Sequence, residues 1–227
     1  DLVVAHASTT EDFAVPLDIQ AATSDLDGSE TLRVEIQGVP AGATVSNATD
    51  QGNGVWVLDG SGTPALNPPA DFAGRLDLTV RAVASESNGS MSARSETLSV
   101  DVVATADNVN ATAASVSGDE DSAIALDLTA SLSDIDGSES LTAQIRGVPA
   151  GATVAGASDA GNGVWVVNQD ALSSLSLTPP AHFAGTIALE FAVQATESSN
   201  GDMSETILGF DVTVDPVADA PTVSVPD

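Results

Sequence analysis

An all-β chain, two tandem antiparallel β-sandwich domains joined by a short linker, is what these 227 residues predict. Three observations carry that reading. Apolar residues alternate with polar ones at Leu32, Val34 and Ile36, at Leu76, Leu78, Val80 and Ala82, at Ile187, Leu189, Phe191 and Val193, and at Leu208, Phe210, Val212 and Val214. A period of two sets one face of each segment on a core and the other in solvent, which is the pattern of a half-buried strand. The breaks carry turn chemistry, with Asn-Gly at Asn53, Asn88, Asn162 and Asn200 and two Pro-Pro pairs, and no stretch has the apolar period of an amphipathic helix. The third observation is that the chain is written twice.

Glu11-Asp12 recurs as Glu120-Asp121, "SDLDGSE" (Ser24 to Glu30) as "SDIDGSE" (Ser133 to Glu139), "GVPAGATV" from Gly38 again from Gly147, and "GNGVWV" from Gly52 again from Gly161, each 109 residues on. "PPADFAG" from Pro68 returns as "PPAHFAG" from Pro179, 111 residues on, so the second copy holds a two-residue insertion; Asp107 pairs with Asp219. Repeats of this length are whole domains. The division is residues 1–106, residues 107–219, and 220–227 as the start of a following repeat or a tail. About seven strands in about 100 residues is the size of an Ig-like or cadherin-like sandwich. Trp56 and Trp165, with Phe72 and Phe183, are expected to be largely buried at equivalent positions.

Composition narrows the function. The net charge is −28, with 33 Asp and Glu against five cations, all arginine. Binding to nucleic acid or to an anionic membrane needs a basic footprint that is missing here, and no apolar run is long enough for membrane insertion. Hydrophobic residues at 42%, in regular alternation, argue against disorder despite the charge. Without cysteine there is no disulfide or thiolate site, and without lysine no lysine–asparagine crosslink. The chain reads as a monomeric piece of something larger. It does not read as an enzyme: His6 and His182 have no counterparts in the other copy and no triad context, and a carboxylate pair without a sugar cleft is a poor glycosidase.

The carboxylates themselves need explaining. In a seven-strand order, strand A runs near Val3 to Ala7 and Glu11-Asp12 lies in the turn to strand B (Ala14 to Ile19), at the far end of the domain. The Asp25/Asp27 loop returns to the near end, where Glu86, and in copy two Glu197, also falls. The end of copy one and the start of copy two then gather Glu11, Asp12, Asp107, Asn108, Asn110, Asp134 and Asp136 with Glu197; Glu120, Asp121 and Asp219 are the corresponding set one repeat on. Hard oxygen donors without histidine or cysteine are the chemistry of Ca²⁺, and the glycine of Asp-x-Asp-Gly lets a loop fold back so that both aspartates aim at one ion. The same words also read as a polar turn. His182 stands where copy one has Asp71, which marks that position as a non-essential ligand.

Taken together, "EDxAxxLD", "SDxDGSExL", "GVPAGATV", "NGVWV", "PPAxFAG" and "VDPVADAP" resemble the tandem repeats of giant bacterial RTX adhesins, over nearly the whole chain and twice. The resemblance implies calcium-stabilised cadherin-like β-sandwiches, secreted to the bacterial surface and contributing to biofilm adhesion. Their partners would be neighbouring repeats of the same chain and a surface glycan or protein. It carries calcium ligation onto Asp25, Asp27, Asp134 and Asp136, onto Asp107 and Asp219, and onto Glu11 and Glu120. The first linker, "ATADNVNA", departs from the pattern in lacking the proline of "PVADAP". Two functions remain open. One is an extender that spaces a ligand-binding region from the cell. The other is a module in which one repeat binds a glycan or peptide, with "LDGSGTPALN" (Leu58 to Asn67) and the four arginines of copy one, Arg33, Arg75, Arg81 and Arg94, as the region where the copies differ.

Overall fold

Alternation decides which side of each strand meets the core, and in both repeats it does so along the two longest strands. The structure, a computed structural model, describes residues 1–24, 28–133 and 137–220, in two units, Asp1–Thr105 and Ala106–Asp227. The first unit holds β1 (Leu2–Val4), β2 (Ala7–Thr10), β3 (Val15–Pro16), β4 (Ile19–Ala21), β5 (Thr31–Gln37), β6 (Thr44–Ser46), β7 (Ala48–Asp50), β8 (Val55–Leu58), β9 (Ala65–Asn67), β10 (Gly74–Ser85) and β11 (Met91–Val103). A six-stranded sheet of order β2-β11-β10-β5-β8-β7 lies against the β1-β4 pair and the β3-β9-β6 sheet. Leu2, Leu17, Val45 and Leu66 from one side meet Ile36, Leu78, Val80, Leu98 and Val100 from the other in a single buried cluster.

The second unit repeats this plan with β12 (Asn110–Ala114), β13 (Val116–Asp119), β14 (Ile124–Ala125), β15 (Asp127–Ser131), β16 (Glu139–Arg146), β17 (Thr153–Ala155), β18 (Ala157–Gly161), β19 (Val164–Val167), β20 (Ser176–Thr178), β21 (Gly185–Glu197) and β22 (Met203–Asp215). Its sheets are β13-β22-β21-β16-β19-β18, β12-β15 and β14-β20-β17. Phe191, Ile145, Leu177, Val193 and Val212 are fully buried at its centre. The two-residue insertion falls in a single 3₁₀ turn, Gln169–Ser174, whose Leu172 packs on the core.

The fold is the all-β pair of sandwiches that the alternation predicts, with four differences of detail. The expected first strand is split: β1 pairs antiparallel with β4, then the chain crosses to the opposite sheet, where β2 runs parallel to β11. The second strand is likewise broken into β3 and β4 around Leu17. Trp56 and Trp165 are half-buried rather than fully so, because β8 and β19 lie next to the outermost strand of each six-stranded sheet. Phe72 and Phe183 are half-buried as well and pack on the edge of each core. Among the described residues no helix is long and apolar enough to cross a membrane.

Candidate metal centre

Each unit has two ends, and in each the strand ends set which carboxylates meet. At one end of the second unit, β16 begins where β21 finishes, and their register puts Glu139 directly opposite Glu197. Directly opposed like charges on antiparallel strands destabilise the pair. Here one of them is also removed from water: Glu197 is 1% exposed. Its Oε1 accepts the Ser199 N–H at 3.0 Å. Its Oε2 is buried and has no hydrogen-bond partner among the described residues. Leaving a buried carboxylate oxygen without a donor carries a substantial desolvation cost.

More acid surrounds this pair. The Asp107 N–H donates to Glu139 Oε1 at 2.6 Å, and the Ala106 N–H donates to Asp202 Oδ2 at 3.0 Å. The Glu197 N–H donates to the Asp202 carbonyl. Asn108 accepts from Ser133 Oγ through its carbonyl and from Ser204 Oγ through its side chain. Glu139 and Asp202 thus hold the first residues of the unit through backbone donors. The unit's single arginine, Arg146, is paired with Glu205 at 2.6 Å. An all-oxygen donor set around a buried, unsatisfied carboxylate fits a hard cation of the Ca²⁺ class. Asp134 and Asp136, named by the sequence for this end, lie outside the described residues, as do Asp25 and Asp27 in the first unit.

The opposite end of the second unit gathers a different set. Glu120 Oε1 accepts the Val217 N–H at 2.7 Å, and Asp121 Oδ1 accepts the His182 N–H at 2.8 Å. His182 Nδ1 stands 3.4 Å from both Asp121 Oδ2 and Asp219 Oδ2, and the three side chains can offer ligand atoms within 4.8 Å of one another. His182, which stands where the first copy has Asp71, thus lies against Asp121. Asp121 and His182 both have left-handed backbone, φ 56° and 57°.

In the first unit, Glu11 is 4% exposed, and its Oε1 accepts the Thr105 N–H at 2.5 Å and the Thr105 hydroxyl at 3.3 Å. Asp12 Oδ1 accepts the Asp71 N–H at 3.1 Å, repeating the Asp121–His182 bond. At the other end of this unit, Glu86 Oε1 accepts from Ser29 Oγ at 3.2 Å. Glu86 thus lies beside Ser29, and Glu197 beside Ser199 and Asp202, at one end of their units, while Glu11 and Glu120 hold the amides of Thr105 and Val217 at the opposite ends. Asn110 opens β12 and is exposed. Sequence reasoning missed Glu139 and Asp202. Glu139 closes the "SDIDGSE" word, so its strand register was the missing information, and Asp202 replaces Ser90 of the first copy.

The arginines of copy one have intramolecular partners. Arg81 Nη1 lies 3.0 Å and Arg33 Nη2 3.2 Å from the buried Glu35. Burial pushes the Glu35 carboxyl up, but hydrogen bonds from Arg81 and Gln37 and the charges of Arg33 and Arg81 outweigh it and hold the group below its ordinary value. Arg75 pairs with Asp77, and Arg94 with Glu96.

No protein-family model matches the chain, and no curated protein matches it. Among solved structures it is similar to human Mucin-like Protocadherin EC1-2, with 14% identity and a TM-score of 0.40 over 96% of this chain and 98% of that one. It is similar to mouse Cadherin-23 EC22-24, with 16% identity and a TM-score of 0.38 over 92% of this chain and 62% of that one. With Protocadherin Gamma B2 extracellular cadherin domains 3-6 the identity is 10% and the TM-score 0.36, over 95% of this chain, which spans 49% of that one.

Proposed function

We propose that the chain is a pair of calcium-stabilised extender or adhesion repeats from a large bacterial surface adhesin of the RTX class, and that it is not an enzyme. The observation that supports this most is Glu197: a carboxylate 1% exposed, opposed by Glu139, in a unit whose one arginine is engaged elsewhere. Asp107, Asn108, Glu139, Glu197 and Asp202 would hold the ion at that end, together with Asp134 and Asp136. Glu120, Asp121 and Asp219 would serve the other end. Glu11, Asp12 and Asp71, and Asp25, Asp27 and Glu86, are the corresponding groups of the first unit. Calcium supplies the positive charge that lets these carboxylates stay close. The residues supply oxygen donors and, through the Thr105, Ala106, Asp107 and Val217 amides, tie the ends of each unit to the same groups. Repeats stiffened in this way would space a ligand-binding region from the cell.

The test is a calcium titration of the whole chain, read by calorimetry and by thermal melting. Each site occupied at about a hundred times its Kd adds about 2.7 kcal/mol to the folded state. The melting temperature should rise by several degrees with calcium and less with magnesium, which gives up its water reluctantly and demands strict octahedral geometry. A melting temperature indifferent to calcium and chelator overturns the reading.

A further inference from the structure

Two repeated words have no part in the metal chemistry. "GVPAGA" and "GNGVWV" come together in each unit and enclose the same groove twice. In the first unit it is lined by Val39 to Ala43, Asp50, Asn53, Gly54 and Trp56, with a volume of about 440 Å³. In the second, Gly147 to Ala152, Asp159, Asn162, Gly163 and Trp165 line about 510 Å³. Small-ligand sites fall in the range of about 300–1,000 Å³.

The walls are fixed by the backbone. The Val39 N–H donates to the Gly54 carbonyl at 3.1 Å, and Val148 to Gly163 likewise. A Cβ on Gly54 would come within 2.5 Å of the Val39 carbonyl oxygen, and one on Gly163 within 2.7 Å of that of Val148. Close approach of the two loops therefore explains the glycines. It does not explain the side chains that line the groove. Ile36, Trp56 and Asp50 are direct cross-strand neighbours in one row, and so are Ile145, Trp165 and Asp159. Directly opposed residues share a face of the sheet. Each row runs from a fully buried isoleucine through a half-buried indole to an exposed carboxylate. One oxygen of each aspartate caps its turn, accepting the Gly52 or Gly161 N–H at 2.7 Å. Among the described residues, the second oxygen, the Asn53 and Asn162 amides and both indole N–H groups have no hydrogen-bond partner.

We propose that these grooves are a duplicated binding site for neutral saccharides, one per repeat. A sugar ring offers a C–H face that packs on an indole and hydroxyls that both donate and accept. The groove offers a flat apolar body with a polar tip in tryptophan, an acceptor in the aspartate and both functions in the asparagine amide. The chain's charge of −28 works against sialylated or uronic ligands. Two copies on one chain add avidity on a surface rich in the same sugar. The inference stands apart from the calcium reading, because the grooves sit at the β7–β8 and β18–β19 edges and use none of its ligands.

The test uses the whole chain in calcium on an array of neutral glucose-, galactose-, mannose- and fucose-terminated oligosaccharides, with sialylated oligosaccharides as counter-probes. The strongest neutral trisaccharide is then titrated into ¹⁵N-labelled protein. Both indole N–H resonances should shift saturably. Asp50→Ser with Asp159→Ser keeps an oxygen for the turn and removes the free one, and should weaken binding by about tenfold or more at unchanged melting temperature. Array signals confined to sialylated probes, no binding at all, indole resonances that stay put, or full affinity in a double variant that melts normally each overturn the proposal. If the serine variant melts early, the indole shifts of the unsubstituted chain decide alone.

Discussion

Glu197→Gln should stabilise the second unit without calcium and destabilise it with calcium. The opposed Glu139 and Glu197 have side chains about 5 Å apart by cross-strand geometry. Two full charges at about that distance repel by about 3 kcal/mol at an effective dielectric of about 20. Glu139 is half-exposed, so screening reduces this to about 1–2 kcal/mol. The amide removes that repulsion and can donate to Glu139. At about 4 °C per kcal/mol for a unit of this size, the chelated variant should melt about 4–8 °C higher than its parent. In calcium the site has lost one negative ligand. If that loss abolishes the site, about 2.7 kcal/mol of ligand stabilisation goes with it, more than the about 1–2 kcal/mol gained, so the variant should melt about 3–7 °C lower. The assay is tryptophan-fluorescence melting in a Trp56→Phe background, which leaves Trp165 as the sole reporter of the second unit. A shift of the same sign with chelator and with calcium refutes the metal argument, and lower stability in chelator refutes the repulsion.

Acid should unfold the first unit partly through Glu35. Its folded-state pKa is depressed, so the stabilisation is present above the unfolded value and is lost as pH falls through the folded one, below the ordinary carboxylate range. Glu35→Gln should flatten the acid limb of the first unit's stability profile and leave the second unit, which has Gln144 there, as it was. Arg81→Ala should cost the first unit about 1–2 kcal/mol at neutral pH in urea unfolding, since Glu35 keeps Arg33 and Gln37 but loses its closest guanidinium. Gly163→Ala places a Cβ 2.7 Å from a carbonyl oxygen at φ +76° and should cost the second unit about 2–4 kcal/mol; a loss under 0.5 kcal/mol would show that the loops are free to part.

What could be read in the sequence was whatever depends on near neighbours. The long strands β10, β11, β21 and β22 announce themselves because alternation along one segment decides which side meets the core. The duplication needs no physics at all. Pieces such as β6, β7 and β9, three residues each, are too short for a period to show. The split of the first strand depends on partners as distant as Ala21 and Val100, which no local pattern encodes. The tryptophans mislead for a related reason: a large aromatic beside alternating apolar residues reads as core unless the strand's place near a sheet edge is known.

The same limit explains the uneven view of the candidate metal ligands. Glu11, Glu86, Glu120 and Glu197 could be named as candidates because each lies at or just past a strand end, whose end of the domain follows from counting strands. Glu139 and Asp202 were missed because their proximity to Glu197 comes from register and from a tight turn: the Glu139–Glu197 pairing, the Glu197 amide on the Asp202 carbonyl, and the Ala106 amide on the Asp202 carboxylate. Acidity along the chain is weak information, since an exposed carboxylate needs no partner. Burial changes that. With Glu197 at 1% exposure and one oxygen unsatisfied, the second unit's end carries a cost that a cation would offset, and the exposed carboxylates elsewhere on the chain carry no such cost. Calcium should therefore act most strongly on the stability of this end, and hydrogen exchange of the Ala106, Asp107 and Ser199 amides should slow on calcium addition more than that of the Gly52 and Gly161 amides, whose aspartate partners are exposed.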